Sequence, residues 1–250
     1  MLALLMSPAR TRLDQLLVER GLAPTREKAR ALIMAGAVSA GTQRLSKPGL
    51  LVAGDAPLAL AAAPRFVGRG GEKLERAVTV FHLDPSGRVG LDVGASTGGF
   101  TDCLLQHGAR QVYAVDVGHG QLDYRLRTDP RVICLEGVNA RHPLNLPELC
   151  DIATIDVSFI SLELVLLSVA AALRPGSPIV ALVKPQFEVG KGKVGKGGVV
   201  RDAALHLEVL SRLVNWGVAH NLRLRGITPS PLLGDKGNRE FLICWRTPHA

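Results

Sequence analysis

The sequence predicts an α/β protein built on a doubly wound, mostly parallel sheet, preceded by a small α+β module. Three observations carry this prediction. The run Leu91-Asp92-Val93-Gly94-Ala95-Ser96-Thr97-Gly98-Gly99-Phe100 reads as an apolar strand ending in an acid, then a glycine turn into a helix start. Tyr113-Ala114-Val115-Asp116 reads as a second apolar strand ending in an acid. Further strand-like segments follow, most of them separated by helix-length stretches, as in βαβ units.

In chain order, residues 1–10 are too short and too proline-interrupted for a signal peptide and read as a leader, with Met6 a second candidate start. Leu13, Leu16, Leu17 and Leu22 form one amphipathic turn set that ends at Gly21. Thr25 caps a second helix whose Ala29, Leu32 and Ile33 share a face and which closes at Gly36. Short strands around Val38 and Leu51 follow, with glycine turns at Gly41 and Gly54. Residues 58–64, alanine-rich between prolines, read as a linker. The expected domains are residues 10–63 and 66–250. Strands of the second are expected at 89–93, 111–116, 131–135, 152–157 and 179–183. The pair 223–228 and 241–246 is expected to end the sheet as an antiparallel hairpin.

A chain of 250 residues suits one α/β domain plus a small companion, and 47% hydrophobic residues supports a real core. A formal charge of +8 favours an anionic partner, nucleic acid first, while 4% aromatics argues against a reader built on base stacking. The four cysteines show no C-x-x-C and no paired Cys/His spacing, so neither a metal nor a disulfide is expected, and buried thiols in a reducing cytoplasm are the default. The longest apolar stretch, 164–173, is about half a membrane span, so no membrane role is expected.

Ser96 stands where a dinucleotide fingerprint needs glycine, and Asp92 would repel a pyrophosphate. Asp92 and Asp116 instead suit a ligand with a cationic end and a ribose diol, as in S-adenosylmethionine (SAM). Gly94, Ala95, Gly98 and Phe100 are expected around its methionine end, and Asn139 near its adenine. The run from Gly190 to Gly197 reads G-x-x-x-x-G-K but has Gly197 where a P-loop needs Ser or Thr. Its Lys191, Lys193 and Lys196 fit an RNA-gripping loop better. Arg12, Arg20, Arg26, Lys28 and Arg30 in the first module, and Arg69 beyond it, are further candidates for RNA phosphates.

Arg12-Leu13-Asp14, Leu17, Gly21, Thr25-Arg26, Ala29, Ile33, Gly36-Ala37-Val38 and Lys47-Pro48 resemble the small S4 RNA-binding domain, with Ala40 where that family usually carries asparagine. Arg69-Gly70-Gly71-Glu72-Lys73-Leu74, Ile155-Asp156-Val157-Ser158-Phe159-Ile160-Ser161, Val183-Lys184-Pro185-Gln186-Phe187-Glu188 and Gly234-Asp235-Lys236-Gly237-Asn238-Arg239-Glu240-Phe241 resemble the TlyA-like family of ribosomal RNA methyltransferases, sometimes called haemolysins and related to the FtsJ type. Gly68 stands where that family commonly has serine. The resemblance implies a Rossmann-like SAM-dependent methyltransferase sheet with an antiparallel last strand. It also implies a cytoplasmic enzyme that methylates a ribose 2′-hydroxyl, of cytidine, in ribosomal RNA or a ribosomal subunit. The family's catalytic set falls on Lys73, Asp156, Lys184 and Glu240. Lys184 would orient the hydroxyl and take or share its proton. Asp156 as a helix cap and Lys73 and Glu240 as surface charges are the plainer readings. Two rivals are an inactive RNA-binding or ribosome-assembly factor and a membrane-acting haemolysin.

Overall fold

The computed structural model describes residues 10–61, 64–190 and 192–249. The expected leader (Arg10 apart), Lys191 and part of the expected linker lie outside the described residues. The chain divides into two compact units, Met1–Pro64 and Arg65–Ala250.

In the first unit, β1 (Arg10–Arg12) runs into α1 (Leu13–Glu19), and Thr25 caps α2 (Arg26–Met34) by accepting the Lys28 N–H at 3.2 Å. The strands β2 (Val38–Ala40), β3 (Gln43–Leu45), β4 (Leu51–Ala53) and β5 (Leu58–Leu60) complete it; β1 pairs with β4, while β2 lies between β3 and β5. The linker therefore cannot start at residue 58. Leu58 and Leu60 alternate with exposed Ala59 and pack against a core of Leu13, Leu17, Ala29, Ile33 and Val38. Asp14, at the start of α1, is fully buried yet accepts from Arg12 at 3.0 Å and Arg26 at 2.9 Å. The Arg12 bond above all holds its carboxyl down at about 2.

The second unit opens with α3 (Gly70–Val80). It continues through β6 (Val89–Val93), α4 (Gly99–Gln106), β7 (Gln111–Asp116), α5 (Tyr124–Arg127) and β8 (Val132–Glu136). Next come β9 (Ile152–Ile155), α6 (Glu163–Ala171), β10 (Pro178–Val183) and α7 (Pro185–Glu188). The last elements are α8 (Ala203–Ala219), β11 (Arg223–Pro229) and β12 (Phe241–Arg246). One seven-stranded sheet has the order β11-β12-β10-β9-β6-β7-β8. Its central strands β6, β9 and β10 are buried on both faces, which is why they read as continuous apolar runs rather than alternating ones. Ile179, Ala181 and Val183 of β10 pack with α6 and α8 residues such as Val165 and Leu213, while Val180 and Leu182 pack on the other side with Leu74 and Leu104 of α3 and α4.

The expected terminal hairpin is present: β11 and β12 pair antiparallel and end the sheet, with β12 lying antiparallel against β10 and β11 at the edge. β12 can sit inside because Leu242, Ile243, Cys244 and Trp245 are all buried, whereas β11 carries exposed Arg223 and Arg225, as an edge strand should. Gly217 lets α8 approach this strand closely: a Cβ there would lie 2.8 Å from the Trp245 ring nitrogen.

Candidate active site

The carboxyl ends of parallel strands leave a crevice where the strand order reverses. Here the ends of β6, β7 and β9 wall a cavity of about 480 Å³, lined by Gly94, Ser96, Asp116, Gln121, Asn139 and Asp156 among others. Gly94 turns the chain out of β6 with φ of +82°, and its Cα passes so close to the Asp156 carbonyl that a Cβ would lie 2.6 Å from that oxygen. Ser96 also takes a positive φ, 48°. Its N–H donates to one Asp116 oxygen and the Gly118 N–H to the other, both at 2.8 Å. The carboxylate is thus fixed in place while each oxygen keeps a lone pair for a diol. Gln121 accepts from the Ser96 hydroxyl at 3.2 Å, and Asn139 accepts the Arg141 N–H at 3.1 Å, which leaves its NH₂ group as a donor.

Four residues expected to hold the ligand do not face this cavity. Phe100 is buried in the core behind the turn, with its ring against Gly70. Gly98 supplies the left-handed residue before α4 and abuts Leu122 and Leu126, so it serves packing. Asp92 is fully buried and accepts hydroxyl bonds from Thr101 at 2.7 Å and Thr154 at 2.9 Å, joining α4 to β9 beneath the turn. Ala95 is buried as well, lining a small recess beside Asp116 rather than the main cavity.

Burial pushes the Asp92 carboxyl up to about 6; the two hydroxyl bonds oppose the rise, and the charge of Asp156 adds to it. In an unfolded chain the same group ionises near ~3.9. Between those values the folded protein binds more protons, so this group lowers stability as pH climbs through the window. Asp92→Asn is expected to flatten that fall, by up to about 3 kcal/mol. Urea unfolding of both proteins at pH 4.5, 6 and 7.5 reads it, and parallel profiles would contradict a buried titrating Asp92.

The four candidate catalytic side chains form two ion pairs at the same sheet edge. Lys184 follows β10 and Asp156 follows β9, with Nζ 2.8 Å from the carboxylate. Lys73, on α3, lies 2.5 Å from Glu240, which precedes β12, and both are buried. Val183 is in register with Phe241, so Lys184 and Glu240 leave neighbouring strands side by side. Pro185 takes the first position of the one-turn α7, where a missing N–H costs nothing, and leaves Lys184 extended ahead of it. Asp156 caps no helix, since α6 begins only at Glu163.

Sequence reasoning missed several residues here. Lys184 also donates to the Ser158 hydroxyl at 2.7 Å. Buried Glu188 accepts from the Ser161 hydroxyl and the Leu162 N–H, both at 2.8 Å, and from Arg212 at 2.7 Å. The motif after β10 therefore holds the motif after β9 in place. Phe159 is 85% exposed at the cavity mouth with φ of +65°, its ring centroid 4.8 Å from that of Phe187. A positive φ is rare for an aromatic residue and marks an imposed conformation.

Several expected RNA contacts have partners within the chain while staying partly exposed. Arg12 and Arg26 bind Asp14, and Arg20 donates to the carbonyls of Gly54 and Ala56. Arg69 donates to the Leu233 carbonyl at 2.6 Å, and Lys193 pairs with Glu208 on α8. Lys28, Arg30 and Lys196 are exposed and have no side-chain partner among the described residues. No helix among the described residues is long and apolar enough to cross a membrane.

A mostly parallel seven-stranded sheet with its last strand inserted antiparallel, and a crevice walled by a glycine turn and a second-strand acid, defines the SAM-dependent methyltransferase class of fold. The chain belongs to the FtsJ-like methyltransferase family, whose profile matches residues 66–247, and it carries an S4 domain over residues 11–56. It is 49% identical over 242 residues to the provisionally named rRNA methyltransferase YqxC of Bacillus subtilis, covering 95% of this chain and 86% of that one. The 16S/23S rRNA (cytidine-2′-O)-methyltransferase TlyA of Mycobacterium tuberculosis is 43% identical, over 95% of this chain and 90% of its own. A solved structure from Streptococcus thermophilus, provisionally called a hemolysin, superposes with a TM-score of 0.73 at 42% identity, covering 98% of this chain and 91% of that one.

Proposed function

We propose that this chain transfers a methyl group from SAM to the ribose 2′-hydroxyl of a cytidine in ribosomal RNA. The observation that carries the reading is the anchoring of Lys184 by both Asp156 and Ser158 at the rim of the cavity. The cavity's size is that of a small-molecule site. In it Asp116 would take the ribose diol of SAM and Asn139 would meet the adenine. When bound, SAM supplies an electrophilic methyl group on a sulfonium.

The remaining work falls to side chains. Lys184, ion-paired with Asp156 and donating to the Ser158 hydroxyl, keeps an N–H for the 2′-oxygen of the substrate. That bond fixes the direction of the oxygen lone pair, and positioning of this kind supplies much of the rate in a displacement reaction. The proton that the hydroxyl loses passes to the Asp156 carboxylate beside Lys184, because the ammonium has no lone pair to take it. Lys73 and Glu240, buried and mutually neutralised, hold the neighbouring strand end and α3 rigid against them. The exposed face of Phe159 gives an unstacked base a platform, which suits a target that must leave its neighbours. Lys28, Arg30 and Lys196 would meet RNA phosphates, in the cytoplasm where ribosomal RNA is found.

Phe159→Ala is expected to weaken RNA methylation by about 5- to 150-fold, from the loss of about 1–3 kcal/mol of stacking, with SAM affinity unchanged. Steady-state transfer assays and calorimetry on the same preparation separate the two. The parent reading is tested by mass spectrometry of ribosomal RNA from cells with and without the protein, which should differ by one ribose methyl. Purified protein with labelled SAM and ribosomal RNA, free or in subunits, should transfer label; binding without transfer would favour an inactive RNA-binding factor. Liposome leakage by RNA-free protein would favour the haemolysin reading.

A further inference from the structure

We propose a zinc site between α3 and α4, remote in role from methyl transfer, held by Glu75, Cys103 and His107. Among the described residues these three form a group whose sulfur, imidazole nitrogen and carboxylate oxygen all lie within 4.8 Å of one another. Cys103 lies on α4 and His107 caps its C-terminus, four residues later, so both lie on one helix face. Glu75 meets them from α3. On a helix the pairing distance is four residues rather than the two or three of a loop knuckle, so Cys103 and His107 do not resemble a metal motif in the sequence.

The donor set and its surroundings favour a cation. Glu75 Oε1 is 3.4 Å from His107 Nε2. Tetrahedral zinc, with bonds of about 2.0–2.3 Å, places neighbouring ligand atoms roughly 3.4 Å apart, so closure needs about an ångström of movement. The His107 Nε2 atom is shielded from water and has no hydrogen-bond partner. Cys103 is fully buried and reduced, and a thiolate, an imidazole and a carboxylate together select zinc over magnesium or calcium. The Glu75 and His107 side chains are 25% and 27% exposed, which gives the ion a way in. Arg65 lies 3.0 Å from Glu75 Oε2 and leaves Oε1 to the cluster. On binding, the Cys103 S–H bond breaks, the proton leaves to solvent and a Zn–S bond forms, with no change of oxidation state. Three protein ligands leave a fourth position for water. The ion would fasten α3, which carries Lys73 two residues before Glu75, to α4.

The test uses full-length, metal-free, reduced protein titrated with zinc chloride against a chromophoric chelator. Expected are one zinc per chain in the parent and an affinity at least about tenfold weaker in His107→Ala and in Glu75→Gln. Zinc should also raise the unfolding temperature of the parent more than that of either variant, with circular dichroism confirming that both fold. Cobalt in place of zinc should give a thiolate charge-transfer band that Cys103→Ser removes. Absence of stoichiometric binding, or equal affinity in parent and variants (zinc held by other cysteines and histidines), would overturn the site.

Discussion

Lys184→Met is expected to lower methyl transfer by about 10²–10⁴-fold while SAM binding and the unfolding curve stay close to the parent's. Methionine keeps the length and most of the packing of lysine but has no N–H to offer. Asp156 and Ser158 would then stand at the cavity rim with nothing to aim at the 2′-oxygen. The Asp156 side chain is 23% exposed at the cavity rim, so removing the Lys184 ammonium opens its carboxylate to solvent rather than stranding it in the core. Single-turnover transfer from labelled SAM, together with calorimetry of SAM binding, separates lost chemistry from lost affinity. Turnover at the parent rate would remove Lys184 from the reaction.

Gly94→Ala is the second large effect, and it acts on the backbone. The new Cβ would need a left-handed conformation, at roughly 1–2 kcal/mol, and would also press into the Asp156 carbonyl at 2.6 Å. That contact is with main chain and cannot swing aside. Either the β6 turn or the strand end carrying Asp156 must shift, so SAM binding should fall at least tenfold and the unfolding temperature should drop. Gly120→Ala is the control. Its φ of +68° carries the same conformational penalty, but nothing lies near its Cβ, so only the modest stability loss should appear.

The inner strands were legible because burial on both faces leaves an unbroken apolar signal: parallel Val89–Val93 and Gln111–Asp116 and antiparallel Phe241–Arg246 begin and end where the pattern says. Asp116 was readable as a strand-end acid facing the crevice. Asp92 carries the same signal, but it points inward to two threonine hydroxyls, Thr101 and Thr154, whose proximity only the folded chain reveals. The internal partners of two arginines of the first unit were unreadable for a related reason. Asp14 looks like one acid among many bases, yet its position at the base of α1 draws in Arg12 and Arg26 together. Ser158 and Glu188 sit within motifs that were recognised, but their work is to bind atoms of another segment, which no local pattern encodes. Phe159 was hidden because an exposed aromatic residue in a short chain segment looks no different from a core one.

The placement of β12 has a consequence for how the enzyme comes into being. Edge strand β11 has no partner until β12 arrives, and β12 leaves the ribosome after every other described strand. During synthesis the half-built sheet must therefore wait with β10 unpaired on one side, and Glu240 reaches Lys73 only when that gap is zipped shut. Catalytic competence thus becomes the final act of folding, so a prematurely terminated product would hold the cofactor crevice yet lack the means to use it.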